Sequence, residues 1–375
     1  MISPEFFIET LRGHGIDFYA GVPDSLLQNI CAYITDNIPA DHNIITANEG
    51  NAIALTAGHY LATGKPGLVY MQNSGIGNAV NPLLSLADQK VYSVPMILLI
   101  GWRGEPGVHD EPQHVKQGEV TLSLLDTMDI PYQILPEDQT AATIAIETTV
   151  ENAIKESRPY ALVVRKGTFE KYSLQNKTVN PYRLSREEAM KCVIDTLPEE
   201  AAIVSTTGKL SRELFEYREA LNQGHSHDFL TVGSMGHASS IALGIALSKS
   251  DRPVFCFDGD GAFLMHLGAL TNIGELSPVN YIHILFNNGA HESVGGQPTL
   301  GFGIDTIAIV KGCGYAHGIS VETCDGIKEA LNFALEKEGP TFIEIRCGIN
   351  SRSDLGRPTT SPFENRDAFM KFIQK

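Results

Sequence analysis

An aspartate between two glycines, followed by a pair of asparagines, forms the most chemically informative pattern in this sequence. Asp260 follows a short apolar run at Val254–Phe257, and Asn287 and Asn288 close a second apolar run that begins at Val279. Between them, apolar side chains recur at helical spacing, so the pattern predicts a strand, a helix and a parallel strand. The carboxyl ends of parallel strands meet at one sheet edge, which brings Asp260 and Asn288 within reach of one cation. Their carboxylate and amide oxygens favour Mg²⁺ over zinc.

The glycines around this aspartate predict a phosphate site beside the cation. Gly259 and Gly261 have no side chain, so backbone N–H groups can approach phosphate oxygens at the start of the helix that Ala262 opens. The positive end of that helix favours anions. The sequence therefore predicts a diphosphate group held through Mg²⁺.

Glu49 is the candidate for proton transfer. The segment Thr46–Ala52 lies where a predicted strand passes into a predicted helix, which presents Glu49 at a sheet edge. A carboxyl group buried there against an apolar ring has a raised pKa and can share a proton. The alternative is a glutamate that only stabilises the positive end of a helix. The presence of the Asp260 and Asn288 pattern in the same chain favours the catalytic role.

Two series of alternating strands and helices surround these residues. The first series has predicted strands at Phe18–Gly21, Ile44–Ala47, Gly67–Met71, Met96–Gly101, Tyr132–Leu135 and Ala161–Val164. The second has predicted strands at Ala202–Ser205, Phe229–Val232, Val254–Phe257, Tyr281–Phe286 and Thr341–Ile345, and predicted helices at Ala238–Leu247, Ala262–Leu276 and Gly326–Lys337. This rhythm predicts an α/β fold with two doubly wound, mostly parallel sheets. The expected domains are residues 1–170 and 185–375, joined by a polar linker within residues 167–184.

Composition and charge limit the partners. The 375 residues include 28 basic and 44 acidic side chains, a formal charge of −16, without a basic run. This balance predicts no nucleic acid and no membrane as a partner. No segment is apolar over the length that a bilayer requires, and the first residues do not read as a leader peptide, so we expect a cytoplasmic protein. Six cysteines without a CxxC pair predict reduced thiols.

GDG followed by NN at this distance resembles the signature of the thiamine diphosphate enzymes. The resemblance implies one domain that binds the aminopyrimidine ring of the coenzyme, a second that binds its diphosphate, and no middle domain because the linker is short. It implies thiamine diphosphate and Mg²⁺ as cofactors, with Asp260, Asn288 and the carbonyl of Ala290 as metal ligands. Glu49 is then the acid at the pyrimidine ring, and Met235 is an apolar wedge that bends the coenzyme. The other implied cofactor contacts are Thr207, Gly208, Gly233, Gly259, Gly261, Ala262 and Asn288.

Three further segments resemble the phosphonopyruvate and sulfopyruvate decarboxylases of this family: Gly21–Ser25, Asp110–Gly118 and Asn287–Gln297. The resemblance implies a carboxy-lyase for a small anionic 2-oxoacid. The first expectation is 3-phosphonopyruvate, converted to phosphonoacetaldehyde and CO₂ in the biosynthesis of phosphonates such as 2-aminoethylphosphonate. The candidate catalytic residues in loops are Asp24, His109, His114, His291 and Glu292. The candidate cations for the phosphonate are Arg103, Lys116, Lys209, Arg212, Arg352 and Arg357.

The resemblance also implies a homodimer or homotetramer, in which Glu49 of one subunit acts across the interface from Asp260 of another. Sulfopyruvate is the alternative substrate, because sulfonate and phosphonate differ by one charge. An alternative of another class is a regulatory subunit that binds the coenzyme without turnover. A carboligase is disfavoured because there is no room for a middle domain, and a nicotinamide or flavin protein because no GxGxxG follows a predicted strand.

Overall fold

Two parallel six-stranded sheets organise the chain, whose computed structural model describes residues 1–375. Packing divides the chain into two units. The first contains Met1–Lys177 and Ser293–Pro298, and the second contains Thr178–Glu292 and Thr299–Lys375. The division after Lys177 falls inside the predicted linker. The grouping of Ser293–Pro298 with the first unit has no counterpart in the sequence pattern.

The first unit is a parallel sheet with helices between its strands. Its strands are β1 (Tyr19–Gly21), β2 (Asn43–Ile45), β3 (Leu68–Gln72), β4 (Met96–Gly101), β5 (Tyr132–Ile134) and β6 (Pro159–Val164). Its helices are α1 (Pro4–Gly13), α2 (Gln28–Asn37), α3 (Glu49–Thr63), α4 (Ile76–Pro82), α5 (Pro112–Thr127) and α6 (Gln139–Glu156). The strand order in the sheet is β2-β1-β3-β4-β6-β5.

The second unit repeats this construction. Its strands are β7 (Ala202–Ser205), β8 (Asp228–Leu230), β9 (Val254–Gly259), β10 (Tyr281–Asn287), β11 (His317–Val321) and β12 (Thr341–Arg346). Its helices are α7 (Arg186–Ile194), α8 (Lys209–Ala220), α9 (Ala238–Ser248), α10 (Asp260–Met265), α11 (Ala269–Leu276), α12 (Thr306–Gly312), α13 (Cys324–Glu336) and α14 (Pro362–Ile373). None of the helices in either unit combines the length and the apolar character that crossing a bilayer requires.

Both sheets have the same topology. The order in the second sheet is β11-β12-β10-β9-β7-β8. If the strands of each unit are counted from one to six along the chain, both orders read 2-1-3-4-6-5 when the second is taken from its other end. The direction of winding reverses between the first and third strands, which are β1 and β3 in one unit and β7 and β9 in the other. In such sheets the crevice beyond the carboxyl ends of these strands is where ligands bind.

Apolar runs explain the central strands. All six residues of β4 and all seven of β10 are buried, because helices cover both faces of a parallel sheet. Along β4, Ile97 and Leu99 belong to one apolar cluster, while Leu98 and Ile100 belong to the other. Each sheet thus separates two apolar cores and leaves its carboxyl edge for polar loops.

The prediction of an α/β fold with two parallel sheets and no middle domain is confirmed. The sequence pattern missed β11, a half-exposed strand at the end of its sheet, where burial imposes little apolar pattern. The prediction of one helix over Ala262–Leu276 was wrong. The structure has α10 and α11 instead, because His266 leaves the helical conformation.

The prediction of reduced thiols was wrong for two cysteines. Cys192 of α7 and Cys324 of α13 form a disulfide across 132 residues of sequence. They meet because α7 packs against α13, so their spacing along the chain carried no signal. The other four cysteines are free.

Candidate active site

Asp260 and Asn288 lie at the carboxyl edge of the second sheet. Asp260 is the first residue of α10, directly after β9, and Asn288 follows β10. The two strands are parallel neighbours, with Phe286 opposite Gly259. The side chains of Asp260 and Asn288 are buried, at 5% and 2% exposure. Tertiary pairing therefore brings a carboxylate and an amide together at one edge.

The surroundings of Asp260 fit a divalent cation. Its Oδ1 accepts a hydrogen bond from Gly261 N at 2.9 Å, and its Oδ2 accepts one from Thr299 Oγ1 at 2.5 Å. Burial raises the pKa of Asp260 to about 6, against the opposing effect of these bonds. A methyl group at Gly301 would lie 2.5 Å from Asn287 Oδ1, a buried oxygen without a hydrogen-bond donor. Glycine thus leaves room for oxygen donors, whose chemistry fits Mg²⁺.

A largely buried arginine, Arg186, with a side chain 11% exposed, lies on the other side of the same edge. Its guanidinium donates to Glu213 at 2.9 and 2.7 Å, to Glu292 Oε2 at 2.9 Å and to Ser351 Oγ at 2.8 Å. Glu292 Oε2 also accepts from Asn288 Nδ2 at 3.1 Å. That bond fixes the orientation of the Asn288 amide, whose Oδ1 accepts from Ala290 N at 3.1 Å. Glu292, expected to be catalytic, is therefore placed to position a predicted metal ligand.

Sequence reasoning missed Arg186. It opens α7, next to the predicted linker, and its position at the edge results from long-range packing: Glu292 lies 106 residues further along the chain. No local pattern around Arg186 signals this role.

Met235 and His291 lie against the GDG turn. A methyl group at Gly261 would be 3.1 Å from Met235 Cε and 2.8 Å from His291 Cε1. Burial lowers the pKa of His291 to about 4, so its ring is neutral near pH 7. The position of Met235 is compatible with an apolar wedge beside a phosphate-binding turn. Ala262 and the carbonyl of Ala290, both in buried residues, belong to this edge as well.

Thr207 and Gly208 lie in the turn after β7, at the winding reversal of the second sheet, and Gly233 lies in the segment after β8. Thr207 Oγ1 donates to Val232 O at 2.8 Å and ties this turn to the segment before Gly233. Gly208 has a φ of 105°, which favours glycine, and it directly precedes α8. These residues lie in the crevice in which open α/β sheets bind phosphate groups.

Glu49 lies at the carboxyl edge of the first sheet. Asn48 caps α3 by accepting a hydrogen bond from Asn51 N, so Glu49 is the first helical residue. Its side chain is buried at 5% exposure, and its Oε2 accepts from Asn78 Nδ2 at 2.8 Å. A methyl group at Gly75 would lie 2.3 Å from Glu49 Oε1. Burial raises the pKa of Glu49, as required of an acid that shares a proton with a ring nitrogen.

Asp24, at 1% exposure, occupies the winding reversal of the same sheet. Its Oδ2 accepts from Leu26 N at 3.1 Å and from Leu27 N at 3.2 Å, and its Oδ1 accepts from Gln72 Nε2 at 2.9 Å. Burial is the largest influence on Asp24 and raises its pKa to about 6. A methyl group at Gly101 would lie 2.3 Å from Asp24 Oδ2. As at Glu49, a glycine makes room for a buried carboxyl group.

A chain of polar groups joins Asp24 to the neighbourhood of Glu49. Gln72 bonds Asp24 through its amide nitrogen and accepts from Ser74 Oγ at 2.9 Å through its oxygen. Ser74 is followed by Gly75, which faces Glu49. We call the set Glu49, Ser74, Gln72 and Asp24 the acid row. Sequence reasoning found its two carboxyl groups and missed the residues between them.

The two histidines after β4 lie in different environments. His109 is exposed and lines a cavity at the edge of the first sheet. His114 is buried in the first turns of α5, and its carbonyl lies against Gly104. Their catalytic roles remain predictions.

The candidate cations differ in their partners and in their exposure. Lys116 is exposed and pairs with Glu119, and Arg352 pairs with Glu187, Glu216 and Asp354. Arg212 bonds the carbonyls of Leu355 and Gly356. Burial lowers the pKa of Lys209 at the start of α8. Arg357 is exposed in the tail. Arg103 lines the same cavity as His109.

Sequence comparisons show which protein family the chain resembles. Residues 206–345 match the family model of the thiamine pyrophosphate enzyme C-terminal TPP binding domain, and residues 3–129 match that of the N-terminal TPP binding domain. The chain is 34% identical to a phosphonopyruvate decarboxylase of Streptomyces viridochromogenes, over 100% of this chain and 95% of the relative. It is 35% identical to a phosphonopyruvate decarboxylase of Streptomyces hygroscopicus, over 99% and 94% of the two chains. A sulfopyruvate decarboxylase of Methanosarcina acetivorans is 31% identical, over 92% and 91%.

Proposed function

The chain belongs to the thiamine pyrophosphate enzyme family, and we propose that it decarboxylates 3-phosphonopyruvate to phosphonoacetaldehyde and CO₂, using Mg²⁺ with the coenzyme. One observation carries the proposal of catalysis: a buried carboxyl group at Glu49 and a buried pair of predicted metal ligands, Asp260 and Asn288, are present in the same chain. The choice of substrate is supported by the two Streptomyces relatives, which align with this chain over nearly their whole length.

The coenzyme and this chain divide the chemical work. When bound, thiamine diphosphate supplies the electron sink for the bond electrons that CO₂ leaves behind. Burial disfavours the charged form of Glu49 and raises the pKa of its carboxyl group, which suits it to share a proton with the pyrimidine ring. Asp260, Asn288 and the carbonyl of Ala290 would hold Mg²⁺ against the diphosphate.

The product requires a proton on the carbon that loses CO₂. Asp24 is suited to deliver it, because a buried carboxyl group with a pKa of about 6 exists in both protonation states near neutral pH. His109, His114 and Glu292 are the other residues proposed for catalysis. Of these, Glu292 acts through Asn288, as its bond to that amide indicates.

An assay of CO₂ release tests the function. The protein is incubated with 3-phosphonopyruvate, thiamine diphosphate and Mg²⁺, and the aldehyde product is measured in parallel. We expect turnover that EDTA abolishes and that Glu49→Gln lowers by about 10²–10⁴-fold, the usual contribution of an acid–base group. Absence of CO₂ release by the wild-type protein would refute the proposal.

Sulfopyruvate is the second candidate substrate, supported by the relative from Methanosarcina acetivorans. The same assay with sulfopyruvate decides between the two by the ratio of their kcat/KM values. Coenzyme binding without CO₂ release from either oxoacid would instead support a non-catalytic regulatory subunit.

The proposal includes a homodimer or homotetramer with catalytic sites at a subunit interface. It is supported by the division of the cofactor groups between the two units, with Glu49 in the first and Asp260 in the second. Mixing subunits tests it. Glu49→Gln and Asp260→Asn chains, each inactive, should recover about a quarter of wild-type activity when dissociated and reassembled together, because each mixed dimer regains one intact site. No recovery would contradict sites shared between subunits.

A cytoplasmic location stays a prediction, which cell fractionation with the same assay would check.

A further inference from the structure

A cavity of about 300 Å³ opens at the carboxyl edge of the first sheet, next to the acid row. Ser25 lines it from the loop after β1, Asn29 from the first turn of α2, Arg103 and His109 from the loop after β4, and Lys166 from the loop after β6. Ser25 directly follows Asp24 in sequence. The cavity is therefore adjacent to a carboxyl group that we propose for catalysis, and its volume is at the lower end of the range for small-molecule sites.

Arg103 presents a fixed guanidinium to this cavity. Its Nε and Nη2 donate to the two oxygens of Asp110 at 2.8 and 2.5 Å, and its Nη1 donates to Ser25 Oγ at 2.5 Å. Asp110 is itself held by Gly104 N at 2.9 Å and by Glu111 N at 2.8 Å. Since a guanidinium has five N–H donors, these bonds leave one on each terminal nitrogen for a ligand. These two donors can bind oxygens of an anion that carries several of them.

The backbone under Arg103 is fixed as well. Asn73, which is buried, donates from Nδ2 to Arg103 O at 2.8 Å and accepts from Arg103 N at 3.3 Å. Trp102 Nε1 donates to Gly118 O at 2.9 Å. Gly104 packs so closely on α5 that a methyl group there would lie 1.9 Å from His114 O. Arg103 is thus preorganised, and little side-chain entropy is lost when it binds a ligand.

The charge around the cavity favours an anion, although the whole chain carries a formal charge of −16. Asp110 is neutralised by Arg103, and Glu105 pairs with Arg165 at 2.8 Å. Lys166 is exposed at the cavity wall and forms no ion pair. Both acidic residues that line the cavity are therefore paired with arginines, and the positive charge of Lys166 is not offset by either of them.

We propose that Arg103, with Ser25 and Lys166, forms the subsite for the phosphonate group of the substrate and determines the preference for a 3-phosphonate. This inference rests on the proposed function. The arginine donors and the lysine bind the three phosphonate oxygens, and Asp24 lies toward the oxoacid end. Lys116 and Arg352 pair with carboxylates outside this cavity, whereas Lys166 lines the cavity and forms no ion pair. The unpaired charge of Lys166 attracts a dianionic phosphonate more strongly than a monoanionic sulfonate.

Inhibition by 3-phosphonopropionate tests the subsite, because this compound carries the phosphonate without the reactive 2-oxo group. Arg103→Gln should raise its inhibition constant, and the KM for 3-phosphonopyruvate, by about 30- to 100-fold, the loss expected for charge-assisted hydrogen bonds. The inhibition constant of Arg103→Lys should lie between those of Arg103→Gln and the wild type, because lysine keeps the positive charge and loses the paired N–H donors of the guanidinium. The matched control is Arg12→Gln, which removes one arginine on α1 that pairs with Glu9; we expect less than a twofold change.

Lys166→Gln provides a second variant, should Arg103→Gln fail to fold with Asp110 left unpaired. Lys166 is exposed, so its replacement leaves the core intact, and the inhibition constant should rise by about fivefold or more, the effect of one partly screened charge. Inhibition constants within twofold of wild type in the folded variants would overturn the subsite. Wild-type protein that releases no CO₂ from 3-phosphonopyruvate would refute the proposed function instead, so the two failures are distinguishable.

Discussion

The two sheets have the same strand order, but the residues at their carboxyl edges differ in chemical type. Both lie at the reversal of a 2-1-3-4-6-5 strand order. The first edge presents Glu49 and Asp24, whose pKa values are raised by burial. The second presents Asp260 with amide and glycine neighbours that fit a cation and phosphate. The shared topology thus accounts for the position of both edges, and we predict that their different loop residues serve proton transfer at the first edge and metal binding at the second.

Both edges use glycine to admit polar atoms. Gly75 and Gly101 make room for the carboxyl groups of Glu49 and Asp24, and Gly301 does so between Asp260 and Asn287. In each case a methyl group would approach an oxygen to 2.5 Å or less. The absence of a side chain is therefore a requirement of the site at these positions and not only of a turn.

The largest expected effect concerns proton transfer at the first edge. Glu49→Gln should lower kcat by about 10²–10⁴-fold, because the glutamine amide does not ionise and cannot exchange a proton with the coenzyme. Binding of thiamine diphosphate in the presence of Mg²⁺, measured by calorimetry, should change far less. Comparable losses of turnover and of coenzyme affinity would contradict the separation of roles between the two edges.

Asp260→Asn should have the complementary result at the second edge. Asp260 is the only charged residue among the predicted metal ligands, so its replacement should weaken Mg²⁺-dependent coenzyme binding by more than about 100-fold, since even residues behind a ligand contribute about 10–100-fold. The measurement is thermal stabilisation by the coenzyme across a Mg²⁺ titration. Unchanged Mg²⁺ dependence would remove Asp260 from the metal site.

Asp24→Asn should alter how stability depends on pH. The pKa of Asp24 is about 6 in the folded chain against an ordinary value of 3.8, so between pH 4 and 6 the folded state binds more protons than the unfolded state. The contribution of Asp24 is therefore complete below pH 4 and is lost as the pH rises through 6. Relative to wild type, the free energy of unfolding of the variant should rise by about 2–3 kcal/mol between pH 4 and 7.

This comparison is made by denaturant titrations in Mg²⁺-free buffer. Asp260 and Glu49 titrate in both proteins and cancel in the difference. If the difference in the free energy of unfolding between the variant and the wild type does not vary with pH, burial does not raise the pKa of Asp24.

Glu292→Gln should have the smallest effect, again at the second edge. It weakens the pair with Arg186 and lets the Asn288 amide turn, so we expect about a tenfold loss of Mg²⁺ affinity. Mn²⁺ titration followed by electron paramagnetic resonance measures it without turnover. Glu275→Gln, an exposed glutamate of α11 in the same unit, is the control. Equal affinities in the two variants would leave Glu292 without a positioning role.

The sequence was most informative where a group and its partners are close along the chain. The GDG turn, the asparagine pair and Glu49 were recognised because each lies directly after an apolar run that predicts a strand. Arg186 and Gln72 were missed because their site partners lie 106 and 48 residues away. The half-exposed β11 and the break between α10 and α11 were missed because neither has a strong apolar pattern.

The sequence by itself determined the fold class and the chemical types present at each edge, since apolar periodicity and short turns are local properties. Only the tertiary structure decided which of the candidate cations faces a cavity, which carboxyl groups have raised pKa values, and that Glu292 is tied to Arg186. Burial and hydrogen bonding at these positions arise when segments far apart in the chain pack together, and residue order along one segment does not encode them.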